Sequence, residues 1–482
     1  MAKDVRRREK ILTGNLFQIV LMICMPLALY QLFNSLHNLI DQIICAQIST
    51  TAQNAVSSIS QIKLTISAFG GGLAAGGGVL VARYFGGGYI KDARNASSNL
   101  LLLAIILSGI ILAIFIPLAK QIMEIAQIAP QSIEIGLGYF RLQMVELIFI
   151  TLNSVFIGLL KAKGESNIIL FLNLGSMLIK LGLTALFIFG FDLKDIIYVE
   201  LSSIAAQVGI TAICLYLMFK KDNLIRLSFR MMKLNKKYVL PILKLSLPIF
   251  LGKFVMNLGK VIVNGICGGY WNTVTDGLIV GALGVSNNIC GLITSPTNSF
   301  EEGGSSIVSQ NLGNGNLKRA IRSFIYSFLV SATISLIGYT LLRFVFMNDI
   351  VSLFSSKDSK SDIYKQMVSE IFVYDSLSII ALGINAPILG LLYGFGQTGL
   401  STILNLSRIG SRIIFLVTIH SISPNLSPTL CAGLSMAISN TIILILSLLF
   451  LIIFIVKIYK KGYKGMHFKD PEPVGIKELT ME

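Results

Sequence analysis

Apolar runs of roughly 20 residues recur along the whole chain, each long enough to cross about 30 Å of hydrocarbon as a helix. No other feature narrows the fold as much. Within a bilayer every backbone N–H and C=O must be satisfied internally, which leaves helices or closed barrels. Barrel strands alternate with period two, whereas these runs are continuous, as in LLLLAIILSGIILAIF at residues 100–115. Charged residues make up only 13% of the chain, against about 25% in an ordinary soluble domain. The expected class is an all-α, polytopic membrane protein.

Helices are predicted near 16–47, 54–83, 98–119, 137–160, 167–190 and 196–219, and again near 241–268, 278–310, 320–345, 366–393, 400–420 and 430–458. These are about twelve transmembrane helices in two six-helix lobes. The expected organisation is a basic N-terminus at 1–15, an N-lobe at 16–219, a basic linker at 220–240, a C-lobe at 241–458 and a tail at 459–482. Six spans per lobe return the chain to its starting side, so both termini and the linker share one face. All three are basic, with Arg6, Arg7 and Arg8 in the first, Lys220, Arg226 and Lys236 in the second, and Lys460 and Lys461 in the third. Loops 48–53 and 421–429 on the other face carry no charge. Excess Lys and Arg mark the cytoplasmic side, so a multi-pass cell-membrane protein with cytoplasmic termini is expected.

The halves also repeat. VLVARYFGGGYIKDARNA, from residue 79, aligns with SIVSQNLGNGNLKRAIRS, from 306. Val81, Gly86, Gly88, Lys91 and Ala93 match Val308, Gly313, Gly315, Lys318 and Ala320. Each half opens with a proline-containing helix, at Pro26 and Pro248. Six spans per half make the repeats parallel, related by a pseudo-two-fold axis along the membrane normal. Transporters of this build bind substrate between lobes near the midplane.

Other chemistries fit poorly. The formal net charge of +16 is accounted for by basic cytoplasmic loops, so no nucleic-acid partner is expected. The six cysteines stand singly within or beside apolar runs, without CxxC or Cys/His spacing, which argues against metal and disulfide frameworks. GGGLAAGGG at 70–78 and FGGG at 85–88 invite a phosphate-loop reading, but GxxxxGK[ST] is absent from the sequence. Small residues inside spans instead allow close helix packing. Three histidines offer no catalytic constellation. Neither enzymatic activity nor a cofactor is expected, and transport would have to draw on an ion gradient.

Ionisable residues inside spans carry the functional information, since each costs a few kcal/mol or more at the bilayer centre. Asn34, Asn38 and Asp41 follow i, i+4, i+7 spacing and share one helical face. His37 is four residues before Asp41 and could donate to it, a purely structural role for that carboxylate. Lys180 sits near the middle of the fifth span. Lys63, Asn153, Asn173, Lys253, Lys260, Glu301 and Glu302 are candidates for lining a substrate cavity, and Arg141 could pair with Glu146.

With these features the chain resembles the multidrug and toxic compound extrusion (MATE) family over almost its whole length. The resemblance rests on the twelve-span pattern, the first helix from Pro26 to Asp41, the repeated glycine turn, and the turns LLKAKGESN at 159–167 and LLYGFGQTG at 391–399. It implies exchange of H⁺ or Na⁺ for small organic compounds leaving the cell, with the first-helix carboxylate, here Asp41, as a coupling site. The family's fifth helix often supplies an Asn and an Asp to the same cation site. Here KLGLTALF puts Lys180 in place of the amide and Thr184 in place of the carboxylate, so an ammonium is expected where the coupling cation would sit. The acidic residue that one sodium-coupled branch carries in the seventh helix has no counterpart in residues 248–268. An alternative keeps the fold and changes the cargo. If Lys63, Lys180, Lys253 and Lys260 line one cavity, an anionic metabolite or a lipid-linked phosphate precursor is expected instead. A non-transporting scaffold would show packed ion pairs and no cavity between lobes. Such a two-lobe transporter needs no protein partner and is expected to work as a monomer in the lipid bilayer.

Overall fold

The computed structural model describes the backbone of residues 2–48, 50–125, 130–193, 195–271, 273–275, 278–353 and 361–461, and the side chains of these residues except 37–58, 130–132, 352–353, 361 and 461. The first half comprises α1 (Ala2–Thr13), α2 (Leu16–Ile48), α3 (Thr50–Gly87), α4 (Ile90–Phe115), α5 (Ala119–Ile125), α6 (Pro130–Ala162), α7 (Ser166–Ala185) and α8 (Ile196–Phe219). The second comprises α9 (Lys236–Trp271), α10 (Leu278–Gly313), α11 (Leu317–Thr340), α12 (Met347–Leu353), α13 (Ser361–Asp375), α14 (Leu377–Gly394), α15 (Gly399–Ile422) and α16 (Pro428–Lys461). No strand occurs among the described residues. Twelve segments are long and apolar enough to cross a membrane, matching the expected class and span count.

Local differences from the sequence expectation have physical causes. The third span begins at Ile90 rather than near 98, because its polar first turns are helical and hold the linker. Arg94 Nε donates to Leu224 O at 2.8 Å, Ser98 Oγ accepts from Ser228 N at 3.3 Å, and Asn99 Oδ1 accepts from Asn235 N at 3.1 Å. The basic N-terminus, to which the sequence assigns no helix, forms α1. Its Asp4 accepts from Leu224 N at 3.0 Å and lies 3.3 Å from Lys163 Nζ, and its Arg7 pairs with Glu165.

Repeat symmetry is visible in the backbone. Gly88 and Gly315, after the second span of each half, have φ of 83° and 74°, and Gly164 and Gly396, after the fourth, have 75° and 79°. Only glycine enters this left-handed region freely, which explains glycine at all four turns. The small-residue run behaves as close packing requires. A Cβ added at Gly72 would lie 2.7 Å from Phe250 Cα, and one at Gly76 2.5 Å from Ser246 N, so α3 and α9 meet backbone to backbone.

The core shows how the halves are joined. At the end bearing the termini, one cluster draws on both halves, from Ile19, Ile23, Leu80, Phe85 and Phe156 to Phe300, Ile307 and Leu391. Toward the opposite end it gives way to two separate clusters, one around Ile66, Phe140 and Met144, the other around Trp271, Ile279 and Phe372. The molecule therefore closes at the terminal end and divides at the other. There α3 and α9 stay in touch through the stacked Phe69–Phe250 rings at 3.8 Å and the bond from Asn257 Nδ2 to Leu64 O at 3.0 Å.

Candidate functional site

Helices α2, α3, α6, α7 and α8 surround a cavity of about 440 Å³ that also touches Asn288 of α10. Helical spacing places the polar residues. Tyr139, Gln143 and Glu146 on α6 recur at i, i+4, i+7, as do Asn173, Met177 and Lys180 on α7, and Glu200, Ser203 and Gln207 share one face of α8. Lys63 of α3 reaches across, bonding Glu146 and standing 3.7 Å from Glu200 Oε1. Lys180 lies within electrostatic range of both carboxylates. Two ammonium groups and two carboxylates thus face one cavity. Each would be costly alone in a low-dielectric setting, and together they compensate.

Of the expected residues, Asn34, Lys63, Asn173 and Lys180 line this cavity. The side chains of His37, Asn38 and Asp41 lie outside the described residues, although the α2 backbone runs through them. Thr184, one turn beyond Lys180, is fully buried and its hydroxyl has no hydrogen-bond partner among the described residues. Asn153 does not line the cavity. It donates to Gln207 Oε1 at 2.8 Å and accepts from Thr211 at 2.8 Å, holding α6 against α8. Arg141 is exposed, and Glu146 pairs with Lys63 instead, because five residues put the two on different sides of a helix.

The four lysines do not line one cavity. Lys63 and Lys180 do, but Lys253 lies within range of Glu301 and Glu302 near the lobe junction. There Glu302 Oε2 lies 2.6 Å from Lys161 Nζ and ties α10 to the end of α6. Lys260 belongs to a third group, with Arg408, Arg412 and Asp375 of the second half. Sequence reasoning passed over Glu200, Asp375, Arg408 and Arg412. The signal was present: each is a charge inside an apolar span, and Arg408 and Arg412 sit at i, i+4.

Known proteins share this fold. The MatE family pattern matches residues 26–186 and 248–418, one block in each half. Multidrug export protein MepA of Staphylococcus aureus strain N315 is 22% identical over 354 residues, covering 72% of this chain and 75% of MepA. MepA of Staphylococcus saprophyticus is 23% identical over 220 residues, covering 44% and 49%. A MOP superfamily transporter from Pyrococcus furiosus, described as having a binding pocket of reverse polarity that suggests a different function, superposes with a TM-score of 0.85 at 18% identity, covering 94% of this chain and 98% of that one. The outward-facing form of a multidrug resistance MATE family transporter gives the same values. With the family pattern matched in both halves and the twelve-helix fold shared, this chain belongs to the MatE family.

Proposed function

We propose that this protein is a secondary active antiporter that exports small organic compounds by alternating access of its two lobes, with H⁺ as the coupling ion. The observation that carries the reading is the charged cavity of the N-lobe. It is large enough for a small organic molecule, reaches the second half at Asn288, and holds Glu146 and Glu200 around one ammonium, that of Lys63. The names of the MepA relatives, multidrug export proteins, support the direction of transport.

The ammonium of Lys63 already stands where a metal cation would bridge the two carboxylates, which favours a proton over Na⁺. Protonating one carboxylate removes a partner from Lys63, and the cluster then rearranges. Asp41, on the same lobe, is a further coupling carboxylate in this scheme, and Asn34, Asn38, Lys180 and Thr184 are assigned to the same coupling role. With the basic terminal end in the cytoplasm, the shared core closes the inner side and the cavity faces outward.

The test is transport in proteoliposomes under imposed pH or Na⁺ gradients, comparing ethidium with phenyl phosphate. Movement of either compound should follow the pH gradient, ignore the Na⁺ gradient, and be lost in Asp41→Asn and in Glu146→Gln/Glu200→Gln. Undiminished gradient-driven movement in the double variant would remove the carboxylate pair from the coupling scheme. Dependence on Na⁺ alone would overturn the proton.

A further inference from the structure

The coupling scheme leaves one set of ionisable groups inside the spans unused. In the second half, Gly259 of α9 makes room for Ile409 of α15, and this close approach brings Lys260 beside Arg408 and Arg412. Asp375 at the end of α13 is the one carboxylate acting on all three, and its Oδ2 accepts from Ser286 at 3.2 Å. Among the described residues three cations thus face one anion, the opposite of the balanced N-lobe cavity.

The hydrogen bonds sharpen the imbalance. Arg408 Nε donates to Asn440 Oδ1 at 3.1 Å, Arg412 Nε to Ser439 Oγ at 3.1 Å, and Arg412 Nη2 to Asn440 Oδ1 at 3.4 Å. All these acceptors are neutral. Among the described residues no carboxylate comes within 4.0 Å of either guanidinium or of the Lys260 ammonium. Among the described residues the terminal amino groups of Arg408 have no hydrogen-bond acceptor, although the side chain is only 8% exposed. Asn440 is fully buried, and among the described residues its amide nitrogen has no partner. The cluster has donors and positive charge in excess and lacks acceptors.

One member of the cluster reaches the lobe junction. Lys253, Asn257 and Lys260 recur at i, i+4, i+7 on α9, and Asn257 bonds to Leu64 of the first half. That face of α9 therefore looks across the lobe junction, and Lys260 is exposed on it. Guanidinium forks bind carboxylate and phosphate in a bidentate manner.

We infer that the C-lobe cluster of Lys260, Arg408, Arg412 and Asn440 is a binding site for the phosphate or carboxylate group of an organic anion, which is the compound this transporter carries. The inference rests on the transporter reading for the word carries, but the site can be tested without it. Phenyl phosphate is titrated calorimetrically into the full-length protein in phosphatidylcholine nanodiscs, with benzyl alcohol as the uncharged control. Phenyl phosphate should bind and benzyl alcohol should not. Affinity should fall about tenfold or more in Lys260→Gln and in Arg412→Gln, as loss of a charge-assisted bond implies, and stay near wild type in Lys120→Gln, which removes an exposed charge on α5 of the first half. Lys260 is exposed, so its variant tests the site without disturbing packing, and Arg412→Lys should fall between Arg412→Gln and wild type.

Phenyl phosphate binding no tighter than benzyl alcohol, or binding unchanged in Lys260→Gln, would overturn the site. Phosphatidic acid added to the nanodiscs identifies the source of the anion: displacement of phenyl phosphate points to a lipid headgroup, and retention to a soluble compound. Gradient-driven ethidium movement without phenyl phosphate binding would sink the anion site and leave the transporter standing. Binding without gradient-driven movement of either compound would do the reverse.

Discussion

At the residue scale, the cavity depends on Lys63 more than on any other side chain. It is 19% exposed and holds two carboxylates that are 4% and 2% exposed. Replacing one member of a buried ion pair leaves the other uncompensated, at a cost of about 3–5 kcal/mol. Lys63→Gln should therefore lower the thermal midpoint in detergent, and Glu146→Gln added to it should recover much of the loss. Additive losses would mean the pair does not act as a unit. Asn153→Ala removes the bonds to Gln207 and Thr211 and should cost about 1–3 kcal/mol, with transport per folded molecule unchanged. Altered substrate preference in that variant would return Asn153 to the cavity wall. The contrast between these residues explains what the sequence could show of the site. That Lys63, Lys180, Asn34 and Asn173 are polar inside apolar runs is local information, readable from the chain. That Lys63 meets Glu146 and Glu200, separated from it by 83 residues in the first case, depends on which helices pack together. Spacing along one helix does not carry that.

At the element scale, the spans were legible because each is an uninterrupted apolar run, and the paired glycine turns because each ends a helix at a repeated motif. What escaped was helix built from polar residues. The first turns of α4 read as loop, and residues 1–15 as a basic N-terminus with no helix assigned, since their polar side chains serve contacts with the linker and with residues 163–165. The turns themselves can be tested. A Cβ at Gly315 meets nothing within 4 Å, so Gly315→Ala adds only backbone strain, about 1–2 kcal/mol. At Gly72 the same substitution also collides with Phe250 and should destabilise more or block folding. Thermal unfolding of the two variants side by side gives the order, and equal losses would contradict close packing of α3 on α9.

At the scale of the whole molecule, joining the halves at one end and parting them at the other leaves few places to hold the closed end shut. The 2.6 Å pair of Lys161 and Glu302 is one. Ser306 Oγ reinforces it by donating to Lys161 O at 2.7 Å, as Gln310 Nε2 does to Ala162 O at 2.8 Å. Cys24 reports on this closure, because its sulfur packs against Gly303 across the junction and is fully buried. Glu302→Gln should loosen the junction and speed alkylation of Cys24 by N-ethylmaleimide, read by peptide mass analysis. An unchanged rate at Cys24 would mean the apolar core alone keeps the end closed.

Helix α1 has a consequence for how the protein is made. Its Asp4 is satisfied by a backbone amide 220 residues further along the chain, and the carbonyl of its Ile11 by Arg319, 308 residues further. Chains are synthesised from the N-terminus at about 5–20 residues per second, so α1 emerges many seconds before either partner exists. It must wait at the membrane surface while six spans are made before Leu224 and eight before Arg319, and only then can it take its place. A segment made among the earliest is thus fixed by partners made much later.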